Sequence, residues 1–181
     1  MNDLAPGTNM SYNSNTLSAL SQLISASDGL TLGQICNFTD LEPHVIQNWV
    51  RRRFVPNPVG KKYRERHVAR ILLISSLRDC MKLESIGELL VYVNGDTDDE
   101  SDDIISEQEL YGYLCEIIAR TDSTVPAIDS VSELVKSAIE SYNAPSEHKK
   151  RLENALAVMV YAYTAGKYKQ QAEKIFNQIK E

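Results

Sequence analysis

Apolar residues recur at helical spacing along most of the chain. In "SNTLSALSQLISAS", residues 14–27, Leu17, Leu20, Leu23 and Ile24 share one face, which predicts a short amphipathic helix. Asp28-Gly29 ends it. A second short helix is expected from Thr31, a suitable cap, to about Phe38. Thr39-Asp40-Leu41 reads as a tight turn. Pro43 suits the first turn of a third helix, where its missing N–H costs nothing. That helix should reach about Arg52 and stop before Pro56. "VPNPVGKKY", residues 55–63, forces a turn. Residues 64–81 predict a long helix with Val68, Ile71, Leu72, Ser75 and Leu77 on its inner side, and residues 82–93 predict another. "NGDTDDESDD" reads as an acidic loop. Four further helices are expected at 104–120, 131–142, 147–166 and 168–179. The only strands expected are two very short ones flanking the turn at 56–60, so the fold class is all-α.

A chain of 181 residues can bury a real core, as one domain or two small ones. Residues 1–13 are polar and Asn/Ser-rich, and are expected to be disordered. No apolar run approaches 18 residues, which argues against a membrane span. The N-terminus lacks a basic region followed by an apolar core, so it does not read as a secretory signal. An intracellular, cytoplasmic protein is expected. Cys36, Cys80 and Cys115 are odd in number and far apart. They form no metal-ligand spacing with His44, His67 or His148, and read as reduced thiols in a helical core.

Charge changes this picture. The chain carries 19 Lys+Arg against 25 Asp+Glu, a net −6. Yet residues 44–82 hold ten basic side chains against two acidic ones, a local +8, and residues 84–123 hold twelve acids against Arg120 alone, a local −11. A basic patch on an acidic protein attracts polyanions while the remainder limits indiscriminate binding. The distribution points to nucleic acid where the net charge would not.

The patch surrounds the third predicted helix. On a 3.6-residue wheel Val45, Ile46, Trp49 and Val50 gather on one side, and His44, Gln47, Asn48 and Arg51 on the other. Amides and guanidinium groups form bidentate hydrogen bonds with base edges. A short helix, a three-residue turn and this helix have the dimensions of a helix-turn-helix. Lys61, Lys62, Tyr63 and Arg64 then read as the tip and return of a wing, whose cations meet phosphates. Arg51, Arg52 and Arg53 supply one cation to the helix C-terminus and others to phosphate. The bland alternatives are an ordinary polar helix surface and solvated charges. Trp49 reads as core, and Tyr63 as either a core anchor or a DNA contact.

Residues 31–90, with Thr31–Ile35, Pro43, Trp49, the turn at 56–60, Tyr63, Arg70-Ile71 and the apolar pattern over 83–90, resemble the winged helix-turn-helix of the MerR family. The resemblance covers about sixty residues, a third of the chain. It implies a DNA-reading head with a minimal two-stranded wing, followed by a helical C-terminal bundle. Gln47-Asn48 stands where MerR members have Arg followed by an aromatic, so the operator need not resemble theirs. The long helix that joins MerR dimers is missing after residue 90, and no metal-sensing cysteines follow. Promoter untwisting and metal sensing are therefore not implied. The wider run from about 17 to 120, including "IQNWV", "PVGKKY", "LLVYVNGD" and "DDESDDII", also resembles a bacterial family catalogued as a domain of unknown function, usually expected to be DNA-binding and regulatory.

Two tempting features weigh less. "DTDDESDDIISE", residues 96–107, places oxygen donors at positions 1, 3, 5, 7 and 12 of a calcium-type loop. Ser101 stands where a glycine is needed and Ile104 at position 9, so Asp102 and Asp103 read better as caps of the next helix. The tyrosines 111, 113, 142, 161, 163 and 168 read as packing and dimerisation. No Gly-rich phosphate loop, metalloprotease motif or nucleophile elbow is present, so no enzyme, metal or cofactor is expected.

The expected organisation is a disordered 1–13, a DNA-binding 14–95, and an all-helical 96–181 that dimerises and regulates. The expected function is a sequence-specific transcriptional regulator of double-stranded DNA, a homodimeric repressor, with any effector left open. Two alternatives stand beside it: a protein-interaction module, and an architectural or phage-derived DNA-bending protein.

Overall fold

The longest buried stretch of the chain lies along one helix. In the computed structural model, which describes residues 4–97, 99, 101–121 and 128–180, helix α4 (Glu65–Leu77) is buried at every position from His67 to Leu77. A helix covered on all sides must sit inside a bundle. Helices α1 (Thr16–Ala26), α2 (Leu32–Thr39), α5 (Leu83–Asn94), α6 (Glu107–Arg120) and α8 (Ser146–Ile179) all pack on it. Helix α3 (Pro43–Arg51) packs on α2, and α7 (Ile128–Ala138) packs on α6 and α8. Sequence pattern predicts only one inner face for α4, with Ser75 on it and with Arg70 and Ser76 interrupting the apolar run. The structure buries all three. Ser76 Oγ donates to Leu72 O at 2.6 Å, which removes its need for water.

The all-α expectation holds: among the described residues the named elements are eight helices and no strand. The two wing strands do not form. Gly60 (φ 57) and Lys61 (φ 64) make a tight turn with both central residues in the left-handed region, and Val59 and Lys62 exchange two backbone hydrogen bonds. The ladder stops there for two reasons. Pro56 and Pro58 have no N–H to donate on one side. On the other side Tyr63 leaves to exchange two bonds of 2.8 Å with Leu30.

Residues 4–13, expected to be disordered, instead form a docked turn; residues 1–3 lie outside the described residues. Leu4 pairs with Ser11, Ala5 is buried, and Tyr111 Oη donates to Pro6 O at 2.7 Å. Asn9 reaches the C-terminal end of α2, donating from Nδ2 to Asn37 O at 3.0 Å and to the Asp40 carboxylate at 2.9 Å. Backbone contacts of this kind give no periodic signal in a polar sequence. One apolar core runs from Ile24 and Leu30 through Leu110 to Val160, and so crosses residue 95 without a break. The two helices expected at 147–166 and 168–179 are one, α8, 34 residues long. Among the described residues no helix is long and apolar enough to cross a membrane.

Candidate nucleic-acid interface

The geometry of α3 begins at α2. Thr31 and Gln34 form a capping box: Gln34 N donates to Thr31 Oγ1 at 3.3 Å, and Thr31 N to Gln34 Oε1 at 2.8 Å. Asp40 then takes a left-handed conformation (φ 52) and closes α2, and buried Leu41 pins the turn. Pro43 opens α3 at its first position. Ile46 and Trp49 face the core at 0% and 4% exposure. Trp49 is therefore core, as expected, and burying it fixes which side of α3 looks outward. His44, Gln47 and Arg51 are exposed on that side, and Asn48 is half-buried at its edge. Arg51 Nη2 donates to Asn48 Oδ1 at 2.8 Å, so Asn48 orients the guanidinium as well as offering its own amide.

The other predicted cations fall into two groups. Arg53 (φ 61), just past α3, and Lys61, within the turn, are exposed. The rest lean on the protein. Arg52 Nη2 lies 2.5 Å from Glu84 Oε1, and its guanidinium covers the Phe54 ring at 4.9 Å. Its hydrogen bond to Glu84, reinforced by a backbone N–H, holds that carboxyl below the usual range. Lys62 is half-buried and its Nζ donates to Gly29 O at 3.3 Å. Arg64 Nη2 sits 3.3 Å from Asp28 Oδ1 in an exposed pair that a phosphate can displace. Tyr63 must be corrected. It is 5% exposed, edge-on to His67 at 6.1 Å, and burial pushes its phenol up. It anchors the turn and presents no ring for DNA. His67 completes the anchor: Nδ1 accepts from Arg64 N at 3.2 Å and Nε2 donates to Asn57 O at 3.0 Å, the tautomer these partners require.

The principal polar cluster was not legible in the sequence. Arg70, 1% exposed, donates to Phe54 O at 2.7 Å, to Glu107 Oε1 at 2.7 Å and to Thr97 Oγ1 at 2.9 Å. Arg66 Nε donates to the other Glu107 oxygen at 2.9 Å and lies 3.7 Å from Asp103. The cluster ties the end of α3 to α4, the acidic segment and α6. It also withdraws two of the ten basic side chains from the surface. The one available signal was Arg66 and Arg70 at i, i+4 opposite a run of acids.

The expected caps of α6 are displaced. Ser106 is the cap, accepting from Glu109 N at 3.2 Å, while Asp102 accepts from Asp96 N at 3.1 Å. Asp98 and Glu100 of the calcium-type loop lie outside the described residues, and Glu107, its twelfth position, is held by the arginines. Among the described residues no three metal-ligating side chains cluster.

The region that builds α3, its turn and the α4–α6 support corresponds to a known sequence family. A family model described as Domain of unknown function (DUF1836) matches residues 16–114, more than half of the chain. The chain belongs to this family. The DUF1836 match begins with α1 and ends inside α6, so it includes α3 and Glu107. It agrees with the expected resemblance over about 17 to 120. The chain is also similar to the uncharacterized protein YkrK of Bacillus subtilis (strain 168), 27% identical over 124 residues, which are 65% of this chain and 53% of YkrK. The chain thus spans about half the length of that relative. No solved structure matches the chain.

Proposed function

We propose that this DUF1836 protein is a sequence-specific DNA-binding transcriptional regulator of the bacterial cytoplasm, with a MerR-like head, acting as a homodimeric repressor. The supporting observation is the outward face of α3, where His44, Gln47 and Arg51 stand exposed beside Asn48 while Ile46 and Trp49 hold the opposite side in the core. Gln47 and Asn48 suit adenine and Arg51 suits guanine. Arg53 and Lys61 flank this face, and Lys62 and Arg64 need only exchange weak partners to join them on phosphates. A Gly60-Lys61 turn without strands acts as a reduced wing. Repression requires only occupancy of the promoter, so nothing beyond binding has to be supplied. The two heads of the dimer would read two half-sites.

The test separates reading from holding. Random-site selection with the full chain should return a half-site motif. Against it Gln47→Ala loses affinity for the selected duplex but not for a scrambled one, while Lys61→Ala weakens both alike. A Gln47→Ala chain with unchanged affinity and preference would remove α3 as the reading element. Selection that returns no motif, with bending of every duplex, would favour the architectural alternative.

A further inference from the structure

Helix α8 carries two apolar faces. The inner one, including Leu152, Leu156, Met159 and Val160, is buried against the bundle. On the opposite side Val158, Tyr161, Ala165, Tyr168, Ala172 and Ile175 follow one another at intervals of three and four residues, ending at Ile179, and every one is exposed. This is a heptad seam of three repeats, about 33 Å long at 1.5 Å per residue. From Lys167 to Ile179 all residues of α8 are exposed. A helical extension of that length draws little stability from propensity alone and needs a packing partner.

We infer that α8 pairs with α8 of a second copy of this chain, antiparallel, through this seam. The order of side-chain sizes selects the direction. In a parallel pair each position meets itself, which stacks Ala165 on alanine and Tyr168 on tyrosine. In the antiparallel pair centred between residues 166 and 167, Val158 meets Ile175, Tyr161 meets Ala172 and Ala165 meets Tyr168. Every large ring then faces a small residue, which is how helices interdigitate at close separation. The seam's large side chains, with Phe176, are between 40% and 76% exposed. Together they offer roughly 600 Å² per chain, about 1,200 Å² for the pair, the lower bound of a specific interface. The pairing goes beyond the DNA-binding reading and stands without it, although a two-half-site regulator requires some such contact.

The test uses the full chain without DNA, so its outcome is independent of that reading. Light scattering after gel filtration at tens of micromolar should give twice the 20.3 kDa chain mass. Tyr168→Glu, at an exposed position, should return the monomer, with the helical signal of the bundle retained and only that of the exposed end of α8 reduced. In a Cys80→Ser background, a mixture of Val158→Cys and Ile175→Cys chains should form a disulfide-linked dimer, and Val158→Cys alone should not, because its two copies lie about 25 Å apart along the axis. A monomeric wild type, or a dimer that Tyr168→Glu leaves intact, would overturn the inference. Self-cross-linking of Val158→Cys would overturn the antiparallel register.

Discussion

Glu107→Ala should be the most damaging single truncation of a surface-coded charge in this chain. Glu107 and Arg70 are each 1% exposed, and the two carboxylate oxygens are 2.7 Å from Arg70 and 2.9 Å from Arg66. Removing one partner of a buried pair leaves the other charge desolvated and uncompensated, which costs about 3–5 kcal/mol. Arg70 keeps Phe54 O and Thr97 Oγ1, so the lower half of that range, about 3 kcal/mol, is expected. Taking a slope of about 2 kcal/mol/M in urea, the midpoint should fall by about 1.5 M without a change of slope. Because Arg70 also holds Phe54 O in the turn that follows α3, amide exchange in residues 49–55 should accelerate with it. Replacing the pair together, Arg70→Met with Glu107→Leu, should restore most of the loss. A midpoint shift below about 0.5 M for Glu107→Ala would show that the cluster is not a structural support of α3, and the link from the acidic segment to the candidate interface would fail.

Other outcomes follow from single residues. Gly29 (φ 103) would place a Cβ 3.0 Å from Lys62 Cβ and 3.1 Å from Tyr63 O, so Gly29→Ala should destabilise by about 2 kcal/mol and lower the melting temperature. Burial pushes the Cys115 thiol up to about 12, while Cys80 is exposed. A thiol reagent at pH 8 should therefore label Cys80 at once and Cys115 only after unfolding. The sign of the linkage is fixed by the same shift: from about pH 9 to 12 the unfolded chain holds fewer protons at Cys115. This group alone should then reduce stability by up to about 1.4 kcal/mol per pH unit, measurable in urea titrations, and contribute no pH dependence below pH 8. Gln47→Ala should cost about 1–3 kcal/mol against the selected DNA, read by anisotropy. Lys61→Ala should reduce the salt slope by about one.

Local rules carried the sequence a long way around α3. The Thr31 cap, the Asp40 turn, Pro43 at the first helical position and Trp49 on the inner face are all decided within a few residues, and each stands where it was expected. What failed was decided at a distance. Strand expectation at 56–64 ignored that Leu30, 33 residues away, would take the backbone of Tyr63. Arg70 looked like surface charge because its partner is 37 residues further on. Residues 4–13 looked disordered because their order comes from α2, α4 and α6. The break expected near Gly166 is absent because packing of the inner face carries α8 through it.

The DNA-binding reading is decided by fluorescence anisotropy of the full chain, on its own upstream DNA and on a scrambled duplex across a salt series. With four phosphate contacts per head, that reading predicts affinity falling with salt at a slope of about −3.6 per head. It also predicts that preference for the specific duplex persists near physiological salt. Equal affinity for both duplexes at every salt concentration, or no binding even at low salt, would contradict it.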